Sequence, residues 1–282
     1  MPEPWMCPTC RQRVTTSFCP RCGETYLQPR ELTLRGLARK LFQAVTSIDG
    51  RVMRTFWRLL RRPGALTLAY MEGQRKPYIA PFQLFLLANV LFFAIQSLTG
   101  INVLGASLDS HLHEQDWSAL AQSLVAQRLE STHATIDRYA PVFDTAVVVN
   151  AKSLIILMAV PFALLLPLVF LRKRLPFSAH AVFSLHVYTF LLLLFSAALL
   201  LAMVHVWMGG QGLKSARVDN VLTVINLLAC AVYLYLATGA FYGARGVTRV
   251  VKVVALTLSV GAILLGYRFV VFLITLYSTG LG

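Results

Sequence analysis

Charged residues are scarce in this sequence. They make up 13% of the 282 residues, whereas hydrophobic residues make up 57%. A soluble domain usually carries about 25% charged residues, so the deficit argues against an ordinary water-soluble protein. The first residues are polar and rich in cysteine, where a secretory signal peptide has an apolar stretch. We therefore expect no cleaved signal peptide.

Recognisable catalytic motifs are also missing. The sequence contains no GxSxG, Walker A or HExxH pattern, and no pair of acidic residues lies deep in an apolar run. These absences exclude the common serine-hydrolase elbow, the P-loop and the zinc-protease helix. No nucleophile or acid–base pair can be named, which favours a non-enzymatic role.

What the sequence does contain is long apolar runs. A helix needs roughly 20 apolar residues to cross a hydrocarbon core about 30 Å thick. Runs of that length lie near 81–100, 153–171, 180–207, 219–243 and 249–277. The runs predict an all-α membrane protein with about five transmembrane helices. The five-span domain would comprise residues 81–282, with an extracytoplasmic segment at about 101–150.

The net charge of +14 is distributed unevenly along the chain. If the N-terminus is cytoplasmic, 20 basic residues lie on the cytoplasmic side and 5 on the other side, with Arg268 inside a span. This split satisfies the positive-inside rule, and five spans then place the C-terminus outside the cytoplasm. Topology and attraction to anionic lipid account for the basic excess, so binding to nucleic acid is not expected.

Four cysteines near the N-terminus have the spacing of metal ligands. Cys7 and Cys10 form one CxxC pair, and Cys19 and Cys22 form a second pair eight residues later. Two such pairs complete a closed tetrahedral Cys₄ site, which favours structural rather than catalytic Zn²⁺. Disulfides or an iron centre are the alternatives, and a cytoplasmic location disfavours disulfides. We predict a zinc ribbon over residues 1–28.

Residues 29–80 predict a basic amphipathic collar at the membrane interface. Apolar residues recur there at steps of three and four, the spacing of one helical face, and basic residues lie between them. The apolar positions are Leu34, Leu37, Leu41, Val45, Ile48, Val52, Phe56 and Leu59. Pro63 and Gly64 should break the helix, and a short second helix is expected at about 65–72. Pro81 then suits the first residue of span one.

Ionisable residues inside predicted spans are candidate functional residues. Arg268 is the leading one, because its side chain leans toward the bilayer centre and needs an internal partner. His180 and His186 lie in the third run, six residues apart, so they do not share one helical face. Either histidine could be a packing residue or a ligand-binding residue. At the cytoplasmic edge, Arg75, Lys76 and Tyr78 are a candidate lipid-headgroup site, with simple membrane anchoring as the alternative.

The extracytoplasmic segment contains a second group of polar residues. Trp117, Leu120, Leu124 and Leu129 predict an amphipathic helix over the outer end of the bundle. His111 and His113, with Glu114 and Asp116, have ligand types that could bind a metal ion. Solvated polar side chains are the simpler interpretation of these four residues.

Residues 54–93, "RTFWRLLRRPGALTLAYMEGQRKPYIAPFQLFLLANVLFF", resemble a bacterial membrane family called domain of unknown function 3667. The string Tyr70…Gly73-x-Arg75…Tyr78…Pro81 carries the resemblance, and "HAVFSLHVYTF" at 180–190 is similar to a second stretch of that family. The resemblance implies a multi-pass protein of the bacterial inner membrane with a zinc ribbon. It implies no activity.

Three functional hypotheses follow. The first is a non-enzymatic accessory or organising protein that docks anionic lipid, or a cytoplasmic protein through the ribbon. The second is a transporter, channel or lipid-handling protein that uses Arg268 and His186 near the midplane. The third is a lipid-modifying enzyme at the cytoplasmic interface that uses His180, Arg75 and Tyr78.

Overall fold

The computed structural model of the protein describes residues 4–6, 12–16, 19–21, 50–74 and 77–279. The described residues are mostly helical, as predicted. The chain divides into two compact units, residues 1–53 and residues 54–282, and each unit is described by itself.

The first unit contains a short antiparallel hairpin. Strand β1, Trp5–Met6, pairs with strand β2, Arg13–Val14, so that Trp5 lies opposite Val14. The indole N–H of Trp5 donates a hydrogen bond to the carbonyl oxygen of Thr16 at 2.8 Å. Trp5, Val14 and Cys19 form a small buried cluster. The other three predicted zinc ligands, Cys7, Cys10 and Cys22, lie outside the described residues.

Two helices precede the first span. Helix α1 covers residues 50–61 and helix α2 is Ala65–Met71. The turn between them contains Pro63 and Gly64, where the sequence predicts a break. Gly64 has a φ of 82°, and a Cβ atom there would lie 2.6 Å from the carbonyl oxygen of Ala237. Glycine is therefore required by both the backbone conformation and the close approach of Ala237.

Among the residues that the structure describes, five helices are long and apolar enough to cross a membrane, which agrees with the predicted number. Helix α6 (Ile136–Leu154) continues through a 3₁₀ turn (Ile155–Met158) into α7 (Ala159–Val169), and the three form one span. The other four are α3 (Pro81–Thr99), α8 (Phe177–Trp207), α9 (Ala216–Tyr242) and α10 (Gly246–Ser278). The predicted boundaries are close to the observed ones, except that the second span begins at Ile136 rather than near 153.

Two short helices connect α3 to α6. They are α4, Leu108–His113, and α5, Ser118–Thr132. The Ser107 hydroxyl caps α4 by accepting from the backbone N–H of Ser110, and the backbone N–H of Leu108 donates to a carboxylate oxygen of Asp144 at 2.7 Å. Arg128 of α5 donates to the carbonyl oxygen of Thr279 at 2.9 Å, at the end of α10. The α3–α6 connection therefore packs on the C-terminal end of α10.

The alternating direction of the spans gives the bundle two faces. The first face contains α1, α2, the α7–α8 link and the α9–α10 link; the second face contains α4, α5 and the α8–α9 link. Between the faces, α3 and α7 pack against α8 and form the centre of a continuous apolar core. Its largest fully buried side chains include Phe85, Phe92, Phe143, Phe162, Phe183 and Phe272.

Candidate functional site

Acidic and basic residues are distributed unevenly between the two faces of the bundle. From residue 54 onward, the described first face has one acidic residue, Glu72, against ten basic residues. These are Arg54, Arg58, Arg61, Arg62, Arg172, Lys173, Arg174, Arg245, Arg249 and Lys252. The second face has the acids Asp109, Glu114, Asp116, Glu130, Asp137, Asp144 and Asp219. The first face therefore attracts anions.

Helix α1 is amphipathic, with one side against the bundle and one side free. Thr55 and Leu59 are buried at 0% and 1% exposure, whereas Trp57 and Leu60 are 55% and 47% exposed. The guanidinium of Arg61 lies 3.9 Å from the centre of the Trp57 ring. Exposed apolar side chains among arginines are typical of a helix that lies in a membrane interface.

The segment before α3 is fixed to α1. The backbone N–H of Ile79 donates to the Thr55 hydroxyl at 3.2 Å. Tyr78 and Ile79 are partly buried and pack against the apolar core. Tyr78 therefore has a packing role in addition to any role in lipid binding. Its predicted companions, Arg75 and Lys76, lie outside the described residues.

His180 is part of a column of rings at the first face. Nδ1 of His180 lies 2.8 Å from the hydroxyl of Tyr242, and both residues are buried. The Phe170 ring stacks on Tyr242 with the ring centres 3.8 Å apart and an angle of 3° between the planes. The ammonium of Lys252 lies 4.5 Å from the centre of the Phe170 ring. The column joins α7, α8, α9 and α10.

His186 has a different partner. Nδ1 of His186 lies 2.8 Å from the Thr67 hydroxyl of α2, and both side chains are buried. Nε2 of His186 is also buried and has no hydrogen-bond partner among the described residues. The structure does not bring His180 and His186 together, in agreement with their six-residue separation.

Arg268 lies in the C-terminal half of α10, which is a candidate membrane span over its whole length. Helix α10 has 33 residues, a length of about 50 Å, which exceeds the hydrocarbon core by about 20 Å. Arg268 is sixteen residues beyond Lys252 of the first face, or about 24 Å along the helix. The hydroxyl of Tyr267 donates to the carbonyl oxygen of Ala151 at 2.5 Å, so Arg268 and Lys152 lie at the same level.

All of α10 is a candidate membrane span, so the expectation that Arg268 sits inside a span stays a prediction. Arg268 interacts electrostatically with His111 and Glu114 of the second-face connection. Its Nε atom is buried and has no hydrogen-bond partner within the described part of the chain.

His111 is buried, contrary to the expectation of a solvated side chain. It is 1% exposed, and its ring centre lies 4.7 Å from that of Phe272. The indole N–H of Trp117 donates to Nδ1 of His111 at 3.2 Å, which requires that this nitrogen carry no proton. Burial first, and then the positive charge of Arg268, lower the pKa of His111 from 6.5 to about 4.

The neighbouring polar residues of this connection stay in solvent. His113 is exposed, and its Nδ1 lies 3.0 Å from a carboxylate oxygen of Asp109. Within the described ranges, no group of three or more His, Cys, Asp or Glu side chains is placed to hold a metal ion. His111 and His113 therefore point to different environments and do not form a joint site.

The structure also separates Arg268 from His186. His186 is six residues beyond His180, about 9 Å from the first-face column. Lys252 contacts that same column, and Arg268 is about 24 Å beyond Lys252. The two residues lie at different depths and contact different elements, so one midplane site that contains both has no support in the geometry.

The sequence interpretation missed Phe170, Tyr242, Lys173 and Lys252 as members of one group. Each of them stands at the end of a predicted span or in a basic link, where aromatic and basic residues are common in membrane proteins. Their association depends on which links lie side by side. The local sequence does not contain that information.

The long apolar helices and the charged faces define a multi-pass helical membrane protein. Residues 49–93 match the family model described as Protein of unknown function (DUF3667). The match covers α1, α2 and most of α3, and it confirms the family that residues 54–93 predicted. The comparisons with curated proteins and with solved structures found no match.

Proposed function

We propose that this protein is a non-enzymatic accessory or organising protein of the bacterial inner membrane, held on anionic lipid by its first face. The observation that carries the proposal is the exposed side of α1. Trp57 and Leu60 form an apolar strip there, and Arg54, Arg61 and Arg62 are exposed beside it. Such a helix gains apolar burial in the interface and attraction to anionic headgroups together.

The charge separation supports a cytoplasmic first face. Cytoplasmic loops of membrane proteins carry an excess of lysine and arginine, and the first face has ten basic residues from residue 54 onward. The N-terminus then lies in the cytoplasm and the C-terminus, after five spans, on the opposite side. Reporter fusions that place both ends in one compartment would contradict this orientation.

The proposal includes structural Zn²⁺ bound by Cys7, Cys10, Cys19 and Cys22. The described part of the first unit fits this role, because Cys19 is buried beside Trp5 and Val14 and follows a hairpin. A ribbon of 28 residues is too short to hold a core without a metal. The ribbon would present a surface for a cytoplasmic protein partner. Elemental analysis should find one zinc per chain and a loss of zinc in Cys19→Ser.

Quenching by brominated lipids tests the lipid-binding proposal. The full-length protein is reconstituted with brominated phosphatidylglycerol or brominated phosphatidylcholine, and the Trp57 signal is the difference between the wild type and Trp57→Phe. We expect stronger quenching by the anionic lipid. The triple variant Arg54→Gln/Arg61→Gln/Arg62→Gln should lose most of this preference, since each basic residue contributes about 1 kcal/mol near an anionic surface.

Arg138→Gln is the matched control. Arg138 is exposed at the start of α6 on the second face, so its removal changes net charge without changing α1. The preference for anionic lipid should persist in this variant. Equal quenching by both lipids in the wild type, or an equal loss in Arg138→Gln, would eliminate the proposed role of α1.

A further inference from the structure

Two lysines of the first face lie against one platform. The platform is formed by the stacked rings of Phe170 and Tyr242 and by Gly243, which follows Tyr242. The ammonium of Lys252 is 4.5 Å from the Phe170 ring centre. The ammonium of Lys173 is 3.6 Å from the position that a Cβ atom on Gly243 would take. Lys252 belongs to α10 and Lys173 to the α7–α8 link, so two cations from different elements contact this one platform.

No carboxylate neutralises these lysines in the part of the chain that the structure describes. Neither lysine forms an ion pair with a described acid. Residues 170–176 and 243–252 contain no Asp or Glu, and Arg172, Arg174 and Arg245 add exposed positive charge. Like charges at this density repel one another, and an anion between them relieves the repulsion.

Arg249 is a cation of the same face whose hydrogen bonds are made within the bundle. Its guanidinium donates to the carbonyl oxygen of Tyr235 and lies 3.6 Å from the centre of the Tyr235 ring. Gly239 leaves room for it, because a Cβ atom there would overlap the guanidinium. Arg249 is therefore engaged within the bundle, whereas the ammonium groups of Lys173 and Lys252 keep their hydrogen-bonding capacity for a ligand.

We propose that Lys173 and Lys252 bind a phosphate group at the first face, on the Phe170–Tyr242–Gly243 platform. Lysine is a point charge with three donors and suits phosphate oxygens. Phe170 and Tyr242 are 2% and 1% exposed, so the rings position the lysines, and the phosphate of a membrane lipid would meet the ammonium groups beside the exposed Gly243. A soluble phosphate shares the same chemistry. The site is separate from α1, so it stands even if α1 does not bind lipid.

Lipid titration of the delipidated full-length protein in detergent tests the proposal. Phosphatidylglycerol, phosphatidylcholine and inorganic phosphate are added separately, and native mass spectrometry or intrinsic fluorescence gives the apparent dissociation constants. We expect Lys173→Gln/Lys252→Gln to weaken phosphatidylglycerol binding about 30-fold, from roughly 1 kcal/mol per basic residue. Lys173→Arg/Lys252→Arg should retain most of the binding, which separates charge from a folding defect.

Two further measurements identify the source of the phosphate and distinguish this site from α1. Competition by inorganic phosphate at a concentration that saturates the wild type assigns the site to a soluble phosphate, and failure to compete assigns it to lipid. Arg138→Gln should bind as the wild type does. The triple variant of α1, Arg54→Gln/Arg61→Gln/Arg62→Gln, should still bind phosphatidylglycerol at the Lys173–Lys252 site, even if α1 has lost its preference for anionic lipid. Unchanged binding of both ligands in the double glutamine variant would overturn the proposal.

Discussion

The hydroxyl of Thr67 lies 2.8 Å from Nδ1 of His186, and the two side chains join α2 to the interior of the spanning bundle. Thr67 is 0% exposed and His186 is 3% exposed. A buried polar pair of this kind contributes little net free energy when it is intact. It costs much more when one partner is left alone, because the remaining group stays desolvated.

Thr67→Val should therefore destabilise the protein by about 1–3 kcal/mol, although valine has nearly the same volume as threonine. The substitution removes the hydroxyl and leaves Nδ1 of His186 buried without a partner. Denaturant unfolding of the purified protein in detergent measures the change in the free energy of unfolding. Thr67→Ser keeps the hydroxyl and should lose less. A larger loss in serine than in valine would show that the methyl group, and not the hydrogen bond, stabilises the contact.

The two glycines that flank α2 give a sharper comparison of conformational strain and close packing. Both have positive φ angles, 82° at Gly64 and 85° at Gly73. A Cβ atom at Gly73 would meet no heavy atom within 4 Å, whereas one at Gly64 would lie 2.6 Å from the carbonyl oxygen of Ala237. A substitution by alanine therefore carries the penalty of a positive φ at both positions, but it creates a steric clash only at Gly64.

Gly73→Ala should cost about 1–2 kcal/mol, the penalty of the left-handed conformation for a residue with a Cβ atom. Gly64→Ala should cost at least about 3 kcal/mol, because the turn must also move away from α9. Thermal unfolding of the two variants in the same detergent checks the order. Equal melting temperatures would mean that the contact between the turn and Ala237 contributes nothing measurable.

The number of spans could be predicted from the sequence because each span is a local property. Twenty apolar residues cross a bilayer wherever they occur, and Pro63, Gly64 and Pro81 mark turns through their own backbone restrictions. The start of the second span was missed for the same reason. Residues 136–152 are polar enough to leave the hydropathy window, yet they belong to the same candidate span, which runs from Ile136 to Val169.

The environment of His111 and the depth of Arg268 could not be predicted from local sequence. His111 is buried because Phe272, 161 positions later in the chain, packs on its ring. Arg268 lies level with Lys152 because the hydroxyl of the neighbouring Tyr267 donates to the carbonyl oxygen of Ala151 in α6. Long-range contacts of this kind leave no periodic pattern in the sequence of either partner.

The depth of Arg268 can be tested by thiol labelling in sealed vesicles. In a Cys230→Ser background, Arg268→Cys should react with a membrane-impermeant maleimide, because position 268 lies about 24 Å beyond Lys252 and so close to the far side of a hydrocarbon core about 30 Å thick. Leu258→Cys is the control. Leu258 is 66% exposed in the isolated chain but lies ten residues deeper on α10, about 15 Å away.

Lipid covers position 258 in the membrane, so its thiol should stay unlabelled while the thiol at 268 reacts. Lys152→Cys, at the level of Arg268, should behave as Arg268→Cys does. If positions 152 and 268 are both protected from the maleimide, Arg268 lies in the bilayer interior and the prediction of an accessible thiol is wrong.

Acidification should release α4 and α5 from the C-terminal end of α10, because the packed state holds His111 neutral. Packing lowers the pKa of His111 from 6.5 to about 4, so the released connection binds a proton more readily than the packed one. The stabilising contribution is complete above pH 6.5 and is lost as the pH falls from 6.5 toward 4. Over this window the ratio of released to packed protein should rise by up to about tenfold per pH unit.

Protonation acts in two ways at this site. It removes the acceptor lone pair to which the Trp117 N–H donates, and it places a second positive charge beside Arg268. The carboxylate of Glu114, which also interacts with Arg268, partly offsets the repulsion. Hydrogen exchange of residues 108–132 and the fluorescence of Trp117 both report release.

The control variants distinguish His111 from its neighbours. His113→Gln removes an exposed histidine that contacts Asp109, and it should leave the pH dependence unchanged. His111→Phe keeps an aromatic ring against Phe272 but cannot bind a proton. The protection factors of residues 108–132, which correct for the intrinsic pH dependence of exchange, should therefore become independent of pH between 6.5 and 4. If His111→Phe releases the connection over the same pH range as the wild type, the acidic residues and not His111 control the transition.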